Sequence, residues 1–308
     1  MNWRYQKDDA RLKMDSYIQS LGQAIEEGRS PGLDALKVAE CDVERFTGPP
    51  CLRLVRKEGE EQHEVSVTIP GIICEKTLPP VYQVRSSKPE HVRYFRQFVR
   101  LTGLGSHTFE ASQDRLNEVF ERFRSAEGVE NMKGFNFGRY EEQYCVDLHS
   151  RYLTERRYVP GQRHIDFTND IDPDHALEDA RDTQFIRVED NVVQYSKKVD
   201  GADGVAYYEP LAPKEFKEGD IVEATGTFIA YPAGEEGEYK LVFCLRALTM
   251  LCSTFREESR IPKRKAEDDR HEKSRKRTQL PSGRSVKRNY ITYGPRDTVR
   301  KEERGMFQ

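Results

Sequence analysis

The sequence lacks several features that would place it in a familiar class. It has no run of 18 apolar residues, which argues against a membrane-spanning helix. Its first residues contain no apolar stretch suited to a secretory signal, and none of its six cysteines forms a C-x-x-C pair. We therefore expect reduced intracellular thiols that mostly fill small apolar spaces, and no metal site.

Motifs for catalysis are also scarce. Residues 103–108 lack the lysine of a phosphate-binding loop, and residues 170–175 lack the glycine that an EF-hand calcium loop requires. Residues 164–166 have the H-x-D form of an Fe(II) oxygenase, but no suitable second histidine follows. Cys145 and His149 would be neighbours on a helix, although a core cysteine beside a surface histidine is the commoner arrangement. We predict a protein without catalytic residues or cofactor.

Charge is distributed unevenly along the 308 residues. Residues 256–308 contain 17 Lys or Arg against 9 Asp or Glu, a net charge of +8, whereas the whole chain has −3. The first 255 residues therefore have a net charge of −11. A basic tail on an acidic body can bind polyanions or fold back onto its own body. Because the tail lacks periodic apolar residues, we expect it to be disordered.

The tail contains two basic clusters separated by an acidic spacer, an arrangement typical of a bipartite nuclear-import signal. The clusters consist of Lys263, Arg264 and Lys265, and of Lys273, Arg275, Lys276 and Arg277. A solvated charged linker is the alternative. The spacing favours import, so we expect a nuclear protein with an import receptor among its partners.

The length suggests two or three compact units, and we expect an α+β protein. We divide it into an N-terminal helical segment (1–48), a mixed α/β domain (49–168), a β-rich barrel-like domain (169–255) and the basic tail (256–308). Sequence periodicity underlies this division.

Apolar residues at helical spacing predict helices over 8–27 and 112–128, and we assign a further helix to 141–156. Alternating apolar residues predict strands over 133–140 and 163–167.

The order of these elements over residues 97–167 resembles an RNA-recognition motif. In the octapeptide that this family carries on its third strand, the stretch "KGFNFGRY" matches at Lys133, Phe135 and Phe137, while Asn136 departs from it. Phe98 stands at the aromatic position of the family's first strand. The resemblance implies a platform on which single-stranded nucleic acid binds.

The resemblance assigns roles to particular residues. Phe98, Phe135 and Phe137 would stack on bases, and Lys133 and Arg139 would add positive charge near phosphates. Only the stretch "SAEGVENM" (125–132), whose first half overlaps the end of the predicted helix, precedes the octapeptide, so the family's second strand has little room. The alternative is that both phenylalanines of the octapeptide face a core.

The stretch from 165 to 255 has a second resemblance. Its segments "EDNVVQY", "FKEGDIVE" and "LRALTML" are similar to a large family of basidiomycete fungal proteins for which we know no established activity. That resemblance indicates the evolutionary origin of the chain but implies no activity or site residues. Physically, "GDIVEATGTFIAYP" is typical of the first hairpin of a small barrel, a class that includes the OB-folds that bind single strands. We also expect a hairpin around 189–191 and three strands in the region that ends at 255.

Together, these patterns favour a nuclear, non-enzymatic protein that binds single-stranded RNA or DNA through aromatic stacking and a basic tail. A nuclear protein-interaction scaffold is the competing hypothesis. An enzyme would require a deep pocket holding His149, His164 or Cys145.

Overall fold

A computed structural model describes residues 1–23, 30–59, 61–85, 88–135, 137–201, 206–234 and 236–260. The basic tail beyond 260 and both clusters of the import signal lie outside these residues. Met1–Pro262 forms one compact unit. None of the helices in the described ranges is long and apolar enough to cross a membrane.

The described elements are mostly strands, with a few helices between groups of strands. The α-helices are α1 (Lys7–Gln23), α2 (Pro89–Val92), α3 (His107–Glu110), α4 (Ser112–Arg124) and α5 (Ala176–Arg181). The strands of the first half are β1 (Asp42–Thr47), β2 (Pro50–Glu58), β3 (Glu61–Glu64), β4 (Ser66–Thr77), β5 (Arg96–Thr102), β6 (Asn131–Lys133), β7 (Arg139–Tyr140) and β8 (Gln143–Arg151). Those of the second half are β9 (Thr154–Glu155), β10 (Phe185–Ile186), β11 (Gln194–Asp200), β12 (Ala206–Pro210), β13 (Ile221–Pro232) and β14 (Glu238–Cys252). Single 3₁₀ turns occupy Leu33–Ala35, Val38–Glu40, Arg156–Tyr158, Glu189–Asn191 and Pro213–Glu215.

Five of the strands close into a barrel. Neighbours around it are β4, β5, β8, β14 and β13, and β13 pairs again with β4. In chain order this is a 1-2-3-5-4 arrangement, closed by antiparallel pairing of the first and fourth strands. The third and fifth strands, β8 and β14, run parallel. This strand order is that of an OB-like barrel, a five-stranded Greek-key closure.

The barrel interior is filled by the alternate residues that face inward along each strand. Val99 and Leu101 of β5 and Leu148 of β8 are fully buried, together with Phe228 and Phe243, whose rings stack 4.7 Å apart. The last pair belongs to the hairpin of β13 and β14. Close packing of this kind supplies most of the stability of a small β-domain.

One glycine allows the β13–β14 hairpin to pack tightly. Gly226 follows an irregularity in the pairing register, and a Cβ placed there would lie 2.7 Å from the Cys244 carbonyl oxygen and from the Phe243 ring. A side chain cannot fit in that space without movement. The glycine is therefore required by the close approach of the two strands.

The helices join the same core as the barrel. Met14 of α1 and Leu116, Val119 and Phe123 of α4 are buried in one cluster with the strand residues. The Ser106 hydroxyl accepts the Phe109 N–H and caps α3, which leads directly into α4. The prediction of a helix over 112–128 is confirmed for 112–124, and the helix predicted over 8–27 is described over Lys7–Gln23.

Two extensions, one of three strands and one of two, widen the sheet beyond the barrel. β1, β2 and β3 extend from β13, while β11 and β12 extend from β14. A cluster of two arginines and two carboxylates ties the first extension to the barrel: Arg53, Glu64, Asp190 and Arg246.

The structure corrects several expectations for individual elements. Residues 143–151 form a strand, so the helix predicted over 141–156 is wrong. The segment 133–140 is not one continuous strand, because only Asn131–Lys133 and Arg139–Tyr140 pair with neighbours. The region before 255 contains two long strands in place of three, and 189–191 is a 3₁₀ turn between strands of different sheets.

At the level of fold class, the protein is α+β and mostly β. Three barrel strands come from 49–168 and two from 169–255, so one barrel spans both segments. The arrangement of an RNA-recognition motif over 97–167 is not confirmed, since the described residues there contain a strand where its second helix would lie.

Candidate nucleic-acid interface

The segment that contains the two phenylalanines bridges an opening in the barrel wall. β8 and β14 are in register at only one position, His149 with Cys244, so their other ends diverge. β6 pairs with β14, and β7 pairs with β8. The residues between β6 and β7 therefore cross the gap.

Phe135 and Phe137 are half-buried in this gap. Their ring centroids lie 5.9 Å apart, and Phe135 is 6.1 Å from the core ring of Phe228. Phe137 lies 5.3 Å from Tyr144. Both rings therefore pack against the core cluster while remaining partly exposed. This arrangement lies between the two interpretations of the octapeptide, an exposed stacking platform and a buried core.

A small cavity of about 90 Å³ brings the predicted stacking residues together. Phe98, Phe135 and Phe137 all line it, although they come from β5 and from the bridging segment. Arg96 and Lys240 line the same cavity and add positive charge beside the rings. We call this surface, with the outer side chains of β5, β8 and β14 around it, the aromatic face.

The strand pairing explains how the aromatic face is built. Side chains of a strand alternate between its two faces, so every second residue of β5 and β8 points outward. Three cross-strand pairs occupy the outward positions: Arg96–Arg151, Phe98–His149 and Arg100–Asp147. The residues of the pairs between them are buried.

The aromatic face has a positive electrostatic environment. Burial lowers the pKa of His149 to about 3, and the neighbouring charges of Arg96, Arg151 and Lys240 contribute to that shift. None of these three cations has a carboxylate within 4.0 Å in the part of the chain that the structure describes. Unpaired cations beside aromatic rings are the combination that tracks a single strand.

Other charges nearby are neutralised locally. Arg100 contacts Asp147 at 2.6 Å and also pairs with Glu75, so it contributes little free charge. Two residues predicted from the octapeptide lie outside the cavity lining: Lys133 pairs with Glu238 at 3.6 Å, and Arg139 with Glu142 at 3.8 Å. Both remain exposed.

A second cavity, of about 240 Å³, continues the aromatic face along β8 and β14. Its lining includes Arg151, two residues after His149 on β8, and Cys244, which lies opposite His149 on β14. The guanidinium of Arg151 lies 4.5 Å from the ring centroid of Tyr231, a cation–π contact. The two cavities are therefore consecutive parts of one surface.

Sequence reasoning missed five residues of this surface: Arg96, His149, Arg151, Lys240 and Tyr231. Four of them stand at alternating positions in "RQFVR", "DLHSR" and the start of β14. A strand over 143–151 places His149 and Arg151 on one face. The helix assignment concealed that periodicity.

The residues considered for catalysis do not converge. On a strand, four residues span about 13 Å, so Cys145 and His149 are too far apart to react together. His164 is held between Glu178, 3.1 Å from its Nε2, and the backbone N–H of Arg187, which donates to its Nδ1. No group of three His, Cys, Asp or Glu residues suited to a metal ion occurs among the described residues.

No family model and no curated protein matches the chain. Among solved structures, the chain is similar to the crystal structure of gp2.5, a single-stranded DNA-binding protein encoded by bacteriophage T7. That similarity has a TM-score of 0.32 and 11% identity, and covers 60% of this chain and 85% of the other. The OB-like description of this protein therefore rests on the pairings of its own five barrel strands.

Proposed function

We propose that this protein binds single-stranded nucleic acid across the aromatic face. The observation that carries the proposal is the convergence of three phenylalanine rings with unpaired cations on one side of an OB-like barrel. Phe98, Phe135 and Phe137 line one cavity, and Arg96 and Lys240 line it with them. Bases would stack on the rings while the cations contact phosphates.

The negative charge of the barrel region does not oppose this function locally. The carboxylates nearest the aromatic face are engaged by arginines, as Asp147 is by Arg100 and Glu155 is by Arg157 at 2.7 Å. The cations around His149 have no such partner among the described residues. A strand that approaches this face therefore meets net positive charge.

The proposal includes a binding role without catalysis, and a nuclear location. The support for the location is the sequence of the two basic clusters between 263 and 277, which lies outside the described residues. The same clusters would add long-range attraction for a polyanion. A comparison of oligo(U) with oligo(dT) distinguishes RNA from DNA as the preferred ligand.

The test is a titration of dye-labelled oligo(dT) and oligo(U) by fluorescence anisotropy at two salt concentrations. We expect Phe98→Ala to weaken binding by about 1–3 kcal/mol, the range for removing the ring beneath one stacked base. Lys240→Gln should weaken binding and reduce the slope of log K against log salt by about 0.7, because one phosphate is no longer neutralised.

Tyr207→Ala is the matched control, because Tyr207 is an exposed aromatic residue on β12, outside the aromatic face. The Tyr207→Ala protein should bind with the same affinity as the unchanged protein. If Phe98→Ala and Lys240→Gln bind as well as this control, the aromatic face is not the site. If the full chain binds neither oligonucleotide, the protein-interaction scaffold becomes the better hypothesis.

A further inference from the structure

The second cavity has the dimensions of a site for one flat ring. Its volume of about 240 Å³ falls below the roughly 300–1,000 Å³ of pockets for drug-sized ligands. It adjoins the aromatic face, since His149 of the first cavity is in register with Cys244 of the second. A nucleic-acid strand bound on the aromatic face would therefore run across the opening of the second cavity.

Its walls provide planar groups for stacking. Tyr94, Tyr158 and Tyr231 line the cavity, and Tyr94 has 66% of its surface exposed. Arg151 contributes its guanidinium plane, which lies against Tyr231. Aromatic rings and arginine planes are the groups on which unstacked bases pack in protein complexes.

Two polar atoms in the cavity lining lack a strong hydrogen-bonding partner. Arg93 Nε is buried and makes no hydrogen bond to any residue that the structure describes. Ser150 Oγ is also buried, and the neighbour that it contacts is the Cys244 thiol, a weak hydrogen-bonding group. The Thr154 hydroxyl, in contrast, is engaged, because it donates to Asn191 at 3.1 Å.

Buried polar atoms are normally hydrogen-bonded, so an unpaired donor and a hydroxyl bonded only weakly to a thiol, both in one cavity, favour a polar ligand. Arg93 Nε donates, and the Ser150 hydroxyl can donate or accept. Glu155 stands at the same wall, with one carboxylate oxygen 2.7 Å from Arg157 and the other 3.7 Å from Arg93, and its remaining lone pairs can accept a further hydrogen bond. This mixture of donors and acceptors matches the edge of a nucleobase.

We propose that the second cavity takes one unstacked base of a strand bound on the aromatic face, and this inference rests on the function proposed above. The base lies against the tyrosine and arginine planes. A ring nitrogen or carbonyl on its edge accepts the Arg93 Nε–H, and Ser150 bonds to a neighbouring edge atom. The pocket thereby fixes the register of the strand.

The test is a set of oligonucleotides in which a single abasic residue moves along the strand, bound to the full chain. Each position whose base is stacked should lose affinity by about ten-fold or more when that base is removed, and one of these positions belongs to the cavity. Ser150→Ala and Arg93→Lys should reduce the loss at that one position, because its base has fewer hydrogen bonds to lose, while leaving the response at the other positions unchanged. Arg93→Lys keeps the charge beside Glu155 but lacks the Nε–H.

The outcomes separate the two proposals. If intact strands bind but the variants respond to every abasic position as the unchanged protein does, the aromatic face binds and the cavity does not hold a base. If intact strands fail to bind, the proposed function itself fails. A second experiment uses mononucleotides. Tight binding of a free nucleotide to the cavity would contradict the proposal that the base belongs to a bound strand.

Discussion

At the scale of single residues, His149 reports on the charge of the aromatic face. Burial and three nearby cations keep the pKa of its imidazole at about 3, far below the 6.5 of an unfolded histidine. Between these values the unfolded chain binds a proton that the folded chain does not bind. Protonation therefore favours unfolding as the pH falls below about 6.5.

We predict that His149→Gln flattens this pH dependence. The free energy of unfolding of the unchanged protein should fall relative to the variant by up to about 1.4 kcal/mol per pH unit below pH 6.5. Urea denaturation of both proteins between pH 4 and 8 measures the difference. Parallel curves over that range would show that His149 is not held neutral by its surroundings.

The resemblance to an RNA-recognition motif assigns Phe98, Phe135 and Phe137 to the proposed site. The structure does not confirm that motif, but it brings the three rings to one cavity. Lys133 and Arg139 are assigned by the same pattern, but neither lines that cavity. The cations that do line it depend on pairing between β5, β8 and β14, which local sequence does not reveal.

At the scale of elements, β8 shows why the fold is harder to predict than the hairpin of β13 and β14. "YCVDLHSRYL" has apolar residues that fit both a strand and a helix, and short segments of this kind are ambiguous. Its register with β5 decides the matter. In contrast, the hairpin has a glycine turn and long alternating strands, so the sequence predicts its existence.

The ionic cluster that ties β2 and β3 to the 3₁₀ turn at Glu189–Asn191 is another property of elements in contact. Arg53 contacts Glu64 at 2.8 Å, and Arg246 contacts Asp190 at 3.2 Å, with both arginines largely buried. Burial alone would raise the pKa of Asp190, but hydrogen bonds and charge from Arg53 and Arg246 outweigh it and hold the pKa below its usual range.

We predict that Asp190→Ala destabilises the fold by about 3 kcal/mol, because it leaves two arginines partly buried with one carboxylate between them. Urea denaturation at pH 7 measures this change. The contribution of Asp190 should decline as the pH falls below about 4, where an unfolded aspartate binds a proton, and should be lost once the folded carboxylate, whose pKa is lower, is protonated as well.

Glu142→Ala is the matched control for that substitution. Its partner Arg139 lies 3.8 Å away, and both side chains are mostly exposed. Removing such a surface pair should change stability by less than about 1 kcal/mol. Equal destabilisation by the two variants would mean that the cluster is no more than a surface ion pair.

At the scale of the whole molecule, the proposed function predicts separate contributions to binding from the acidic barrel region and from the basic tail. A chain ending at Pro262 keeps the compact unit but loses 15 Lys or Arg and 7 Asp or Glu. We predict that this truncated protein binds single strands more weakly at low salt, with a smaller salt dependence, while the effect of Phe98→Ala persists.

Anisotropy titrations of the full and truncated chains, with and without Phe98→Ala, measure both contributions. If truncation abolishes binding at every salt concentration, all polyanion affinity belongs to the tail. A barrel contribution requires the weakening caused by Phe98→Ala to be similar in both chains, because stacking depends little on salt.

The closure of the barrel between β4 and β13 has a consequence for the newly made chain. Thr68 and Thr225, whose hydroxyls lie 3.0 Å apart, are 157 residues apart in sequence. At translation rates of roughly 5–20 residues per second, β13 is synthesised about 8–30 s after β4. During synthesis the nascent polypeptide therefore has an unpaired sheet edge at β4 for that interval, and such an edge can pair with another chain.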